Sequence, residues 1–206
     1  VYIALNYSRM MTGMMDQEAM LEMVYTIAAE ILQYSTEITA VSSLVLLPIG
    51  IWMFKKDRNE EKIQGNEVGT ALPPGKYWII AVMGIAACIC MNNLMTLANV
   101  STISQSYQVT IENLYQSSFF TQLICLGIII PIVEELISRG LVYKRMCGYF
   151  SKRRAMIWSS VIFGALHGNL VQFIYATVLG FLLAYIYECY GSLKAPMFAH
   201  AVINMT

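Results

Sequence analysis

The sequence predicts an all-α fold, a polytopic bundle of transmembrane helices. Three observations predict it. The chain is 57% hydrophobic with a mean hydropathy of +0.57. Only 13% of its residues are charged, about half the roughly 25% usual in a soluble domain. Apolar runs near the ~20 residues needed to cross a bilayer recur along its 206 residues. About six spans are expected, with an amphipathic helix before them. The opening residues VYIALNY read as the tail of one further, truncated span, and the chain's end at Thr206 cuts a helix carrying Asn204. Residues 1–76 form an expected N-terminal unit of membrane and interfacial helices with a polar loop. Residues 77–206 form the expected core.

Each element follows from its pattern. Over residues 9–36, Met20, Met23, Val24, Ile27, Ile31 and Tyr34 recur at helical spacing among acidic residues, which predicts an amphipathic helix on the bundle or in the interface. Residues 38–54 read as the first span. The following KKDRNEEKIQGNEVGTALPPGK is a polar loop with Gly and Pro turn signals. Residues 77–99 are the second span, 100–117 a polar stretch without Lys or Arg, and 118–138 the third span. A basic loop follows, then three short, closely joined spans at 155–168, 170–188 and 193–206. Trp52, Tyr77, Trp78 and Trp158 near span ends read as interface anchors. Asn92 and Asn93 read as helix–helix hydrogen-bond donors, and Glu188 as a solvated helix end.

Placing loops 55–76 and 140–154 and the turn at 189–194 in the cytoplasm puts every Lys and Arg except Arg9 on that side or at its helix ends. Glu134 and Glu135 are then expected near the cytoplasmic end of their helix. The five cysteines form no CxxC pair and read as packing residues. No phosphate loop, repeat or nucleic-acid surface is visible. The expected partners are a peptide or protein substrate and the lipid bilayer, with no nucleic acid.

The informative residues are the ionisable ones inside apolar runs. Such groups cost on the order of 2.5–3.5 kcal/mol each at a helix centre by insertion scales. Glu134-Glu135-x-x-x-Arg139 places Glu135 and Arg139 one turn apart, so that they pair and leave Glu134 free to act. Pro131 just before them is positioned to kink the helix and free backbone carbonyls. Phe163 and His167 share a helix face, and so do His200 and Asn204. Taken singly, each pattern has an ordinary explanation: an interfacial charge cluster with a snorkelling Arg139, a hydrogen-bonded core histidine, or interhelical polar glue.

Taken together, EExxxR, FxxxH and HxxxN on three successive spans resemble the CPBP intramembrane proteases, also called the Abi or CAAX-protease family. The resemblance covers roughly residues 77–206. It implies an endopeptidase in which Glu134 activates water, His167 orients that water or shares its proton, and His200 with Asn204 stabilises the oxyanion. Glu135, Arg139 and Phe163 would support them. One branch of the family acts on prenylated proteins, so a membrane-anchored or lipidated substrate is among those expected. The expected location is the cell (plasma) membrane, with the site open toward the cytoplasm. HExxH is absent. His167, His200 and Glu134 could still supply the three ligands of a catalytic zinc, which makes zinc the one candidate cofactor. A glutamate–histidine mechanism without tightly bound metal is the competing expectation.

Two other classes of function also fit parts of the pattern. A non-enzymatic scaffold, immunity or regulatory protein could keep the motif for structure. A proton-coupled carrier also uses buried Glu and His, but the sequence shows no internal repeat of the kind carriers often have.

Overall fold

A computed structural model describes residues 17–65, 72–100 and 104–206. The described chain is helical, and no strand occurs among the described residues. Among the described residues eight helices carry the fold: α1 (Gln17–Leu32), α2 (Ser35–Ile63), α3 (Tyr77–Leu97), α4 (Gln105–Gln116), α5 (Phe119–Met146), α6 (Lys152–Ala165), α7 (Leu170–Tyr190) and α8 (Lys194–Met205).

Four of these are long and apolar enough to cross a membrane: α2, α3 with its leading turn, α5 and α7. Among the described residues the helices of that length and apolarity number four, where about six spans are expected. Helices α6 and α8 have 14 and 12 residues, about 21 and 18 Å at 1.5 Å per residue, short of a ~30 Å hydrocarbon core. They pack inside the bundle, α6 on α7 and α8 on α3. The expected truncated span before residue 17 lies outside the described residues. Of the apolar face expected in α1, only Met23 is buried, while Met20, Val24, Ile31 and Tyr34 stay exposed.

Two expected loops begin as helix. α2 runs on from its apolar part through Lys55–Ile63, where pairs one turn apart, Lys56 with Glu60 and Arg58 with Glu61, support it. α5 continues to Met146, past the expected end at 138, and leaves a short connection before α6. These extensions meet. Arg145 grips Asp57 with two hydrogen bonds of 2.8 and 3.1 Å, and Lys144 lies 3.5 Å from Glu61. At the same end Lys152 pairs with Glu188 at 2.6 Å, so Glu188 is ion-paired rather than merely solvated. That hydrogen bond raises the Lys152 pKa. This end, called the basic end below, gathers the C-termini of α2, α5 and α7 and the N-termini of α3, α6 and α8.

Small residues let the helices approach closely, as membrane helix packing requires. A Cβ on Gly84 of α3 would meet the Ala199 carbonyl of α8 at 3.3 Å. A Cβ on Gly164 of α6 would collide with Thr177 and the Phe173 carbonyl of α7. The main core lies between α3, α7 and α8, with Ile80, Cys88, Leu183, Ile186, Ala199 and Ile203 buried. The outward apolar residues of α2, including Val41, Leu44, Val45 and Ile49, are exposed, as expected of a lipid-facing helix. Trp52, Trp78 and Trp158 are exposed too, whereas Tyr77 packs edge-on against Phe198. Asn93 bonds to the Ile89 carbonyl and Asn92 to Cys88 within α3, so neither bridges helices. All five cysteines are free.

One helix was not expected at all. Residues 105–116 fold as α4, opened by Ser104, whose hydroxyl accepts the Tyr107 N–H at 3.3 Å.

Candidate active site

The site is built on α5, and its geometry starts from Pro131. Proline has no N–H, so the carbonyl one helical turn back loses its donor. Here α5 widens into a π-type turn at Cys125–Ile129, and the Ile130 N–H reaches back to the Cys125 carbonyl. The Leu126 carbonyl, five residues before Pro131, then has no intrahelical donor left in that register. Asn204 of α8 supplies one: its Nδ2 donates to Leu126 O at 3.0 Å. The freed carbonyl expected from Pro131 thus exists, and a site residue takes it.

The two glutamates diverge. Glu135 is fully buried and receives Arg139 Nη1 at 2.6 Å. Arg139 is 1% exposed, so it does not snorkel. Its second terminal nitrogen donates to the Gly180 carbonyl of α7 at 2.7 Å. The guanidinium lies 4.5 Å over the Phe163 ring of α6, within cation–π range. Glu135 Oε1 also accepts His200 Nδ1 at 2.9 Å. One buried chain therefore runs from Gly180 through Arg139 and Glu135 to His200 and fixes α5, α7 and α8 together.

Glu134 points the other way. Its side chain is 32% exposed and its Oε2 stands 3.7 Å from His200 Nε2, beyond direct hydrogen-bond range. It faces a cavity of about 530 Å³ that His167, His200 and Asn204 also line. Phe163 is the wedge that orients both imidazoles, with ring centroids 4.9 Å from His167 and 5.8 Å from His200.

Hydrogen bonds fix the ring states. His167 Nδ1 lies 2.9 Å from the Phe163 carbonyl, which only accepts, so Nδ1 carries hydrogen and a neutral His167 offers its Nε2 lone pair elsewhere. Glu135, ion-paired to Arg139, acts as acceptor to His200 Nδ1. His200 Nε2 then donates only when the ring holds a second proton.

The structure thus brings Glu134, His167, His200 and Asn204 to one cavity and sets Glu135, Arg139 and Phe163 behind them. It does not bring three ligands to one metal position. Among the described residues no group of three His, Cys, Asp or Glu side chains could hold a metal ion. His167, His200 and Glu134 line one cavity without forming such a group.

Sequence reasoning missed Gly180 and α4. A Cβ at Gly180 would meet Phe163 at 3.1 Å and Arg139 at 3.2 Å, so glycine is what admits the Arg139–Phe163 stack. An isolated glycine within an apolar helix was the available signal. Tyr107, Thr110, Ile111 and Leu114 of α4 line the cavity, and their spacing is that of one helix face.

The depth of the site also differs from expectation. Glu134 lies about 18 Å along α5 from Met146, at 1.5 Å per residue, and not near the basic end. His167 and Asn204 lie near the opposite ends of α6 and α8.

Known proteins match the part of the chain that holds this site. Residues 116–206 match the family model described as type II CAAX prenyl endopeptidase Rce1-like. A Bacillus subtilis (strain 168) protein that carries the name membrane peptidase YdiL is 33% identical over 78 residues, which is 38% of this chain and 32% of that protein. The chain thus spans about a third of the length of the curated relative it matches. No solved structure matches. All three motifs lie inside the matched segment and meet at one cavity, so this part of the chain is similar to the CPBP (CAAX-protease) family.

Proposed function

We propose that the chain is an intramembrane endopeptidase that hydrolyses a peptide bond with a water molecule activated by Glu134. One observation carries the reading. Of two adjacent carboxylates, Glu135 is neutralised by Arg139 and committed to His200, while Glu134 is left without a hydrogen-bond partner and faces the cavity beside His200.

The chemistry follows from that division. Glu134 takes a proton from the water, and the water oxygen attacks the peptide carbonyl carbon. His167, with Nδ1 committed to Phe163, presents Nε2 as an acceptor that holds the water's other hydrogen. Negative charge then grows on the carbonyl oxygen. Asn204 keeps one amide hydrogen beyond the one given to Leu126, and His200 donates from Nε2 once it holds a proton passed from Glu134. Each such donor in a dry site is worth about 2.7–4 kcal/mol. Collapse of the intermediate breaks the C–N bond, and the proton goes to the departing amine.

Glu134→Gln tests this reading. The variant should fold, because Glu134 is partly exposed and anchors no helix. Its peptide cleavage should fall by about 10²–10⁴, the usual worth of a positioned general base. Comparison of peptides released in membranes carrying the wild-type or variant protein measures the loss and reveals the substrate. Undiminished cleavage by Glu134→Gln would refute the mechanism.

A further inference from the structure

The cavity and the basic loops lie at opposite ends of the bundle. Of the thirteen Lys and Arg in the sequence, Arg9 lies outside the described residues and Arg139 is buried in the site. The other eleven sit at the basic end, on the last turns of α2, in the turn before α3, from Lys144 to Arg154, and at the start of α8. Among the described residues the far end carries no Lys or Arg. Short loops next to spans that are rich in Lys and Arg stay in the cytoplasm.

The cavity is lined by the far halves of the same helices. Thr36 and Thr39 belong to the first turns of α2, Asn92 to the last third of α3, and Gln172 to the first turn of α7. Thr206 at the end of α8 and one face of α4 complete the rim. Thr36, Thr39, Asn92, Gln172, Thr206 and, on α4, Tyr107 and Thr110 are uncharged and can hydrogen-bond. Glu134, His167 and His200 are the charged or chargeable groups near the floor.

We infer that the cavity takes its substrate from the side of the membrane opposite the basic loops: an uncharged, extended peptide segment in the non-cytoplasmic half of the bilayer. The neutral hydroxyl and amide rim suits the main chain of such a segment, which must find hydrogen-bond partners when it leaves water. Only the word substrate in this inference rests on the peptidase reading. The side of access is set by charge and geometry.

Single cysteine reporters separate the two. In a background with all five native cysteines replaced by Ala or Ser, Thr206→Cys marks the cavity rim, Ser106→Cys the adjoining α4, and Ser151→Cys the basic loop. A membrane-impermeant maleimide applied to intact cells should label Thr206→Cys and Ser106→Cys and leave Ser151→Cys unlabelled. Sealed inverted vesicles should reverse the pattern. Labelling of Thr206→Cys from the cytoplasmic side, or from neither side, overturns the inference. The labelling needs no catalysis, so outward labelling together with full activity of Glu134→Gln would sink the peptidase mechanism alone.

Discussion

Replacing Glu135 by Gln should destabilise the protein far more than replacing its neighbour Glu134. Glu135 is fully buried and holds Arg139, itself 1% exposed, at 2.6 Å. The amide keeps the shape of the carboxylate and removes its charge. Arg139 is then a buried cation with the Gly180 carbonyl and the Phe163 ring as its remaining support. Breaking one side of a buried pair costs about 3–5 kcal/mol, because a charge is left uncompensated. At 2–4 °C per kcal/mol for a chain of this size, the midpoint should fall by roughly 6–20 °C. Thermal unfolding in detergent micelles, followed by tryptophan fluorescence, measures it. The double variant Glu135→Gln/Arg139→Met removes both charges and should recover most of the loss, since buried pairs replaced by neutral groups are often close to neutral in stability. It should not recover cleavage, because His200 has lost the carboxylate that orients it. A Glu135→Gln midpoint within about 2 °C of wild type, under 1 kcal/mol on the same scale, would refute the buried-pair account.

Two further outcomes follow from the geometry. Gly164→Ala forces a methyl into Thr177 and the Phe173 carbonyl at the α6–α7 contact, and should cost about 1–3 kcal/mol as an overpacking change; an unfolding midpoint equal to wild type would contradict that close approach. Because no three His, Cys, Asp or Glu side chains converge on one point among the described residues, cleavage should survive dialysis against EDTA; a loss restored by added zinc would refute this.

The sequence made the site legible and its surroundings much less so. Glu134, Glu135, Arg139, His167, His200 and Asn204 stand out because each is costly within an apolar run, and helical spacing alone pairs Glu135 with Arg139. The end of a span is harder to read. Apolarity stops at Phe54 while α2 continues to Ile63, because ion pairs and packing against α5 sustain the last turns. Short apolar segments are hard to place for a related reason. Residues 155–165 and 194–205 are apolar enough to suggest crossing, yet their burial is against α7 and α3. α4 was overlooked because its mean polarity hides a narrow apolar face whose partner is a cavity. Gly180 matters through what it lacks, and no local pattern announces that Arg139 needs the space.

The link between Pro131 and Asn204 can be tested directly. Pro131 is fully buried and denies a donor to Leu126, whose carbonyl takes Asn204 instead. Pro131→Ala restores an N–H at that point. The helix can then close its own hydrogen bond, a gain of about 0.5–1.5 kcal/mol. Two ring methylenes are lost from the interior at about 0.8 kcal/mol each. The terms nearly cancel, so stability should stay within about 1 kcal/mol of wild type. Activity should not stay. Once Leu126 no longer needs Asn204, the amide is released from the geometry that aims its second hydrogen into the cavity, and kcat should fall toward the ~10²-fold loss of one oxyanion donor. Asn204→Ala then supplies the control. If Asn204 acts through this pose, the two changes combined should cost little more than Asn204→Ala alone, since both remove one interaction. Fully multiplicative losses would mean that Pro131 shapes the site by another route.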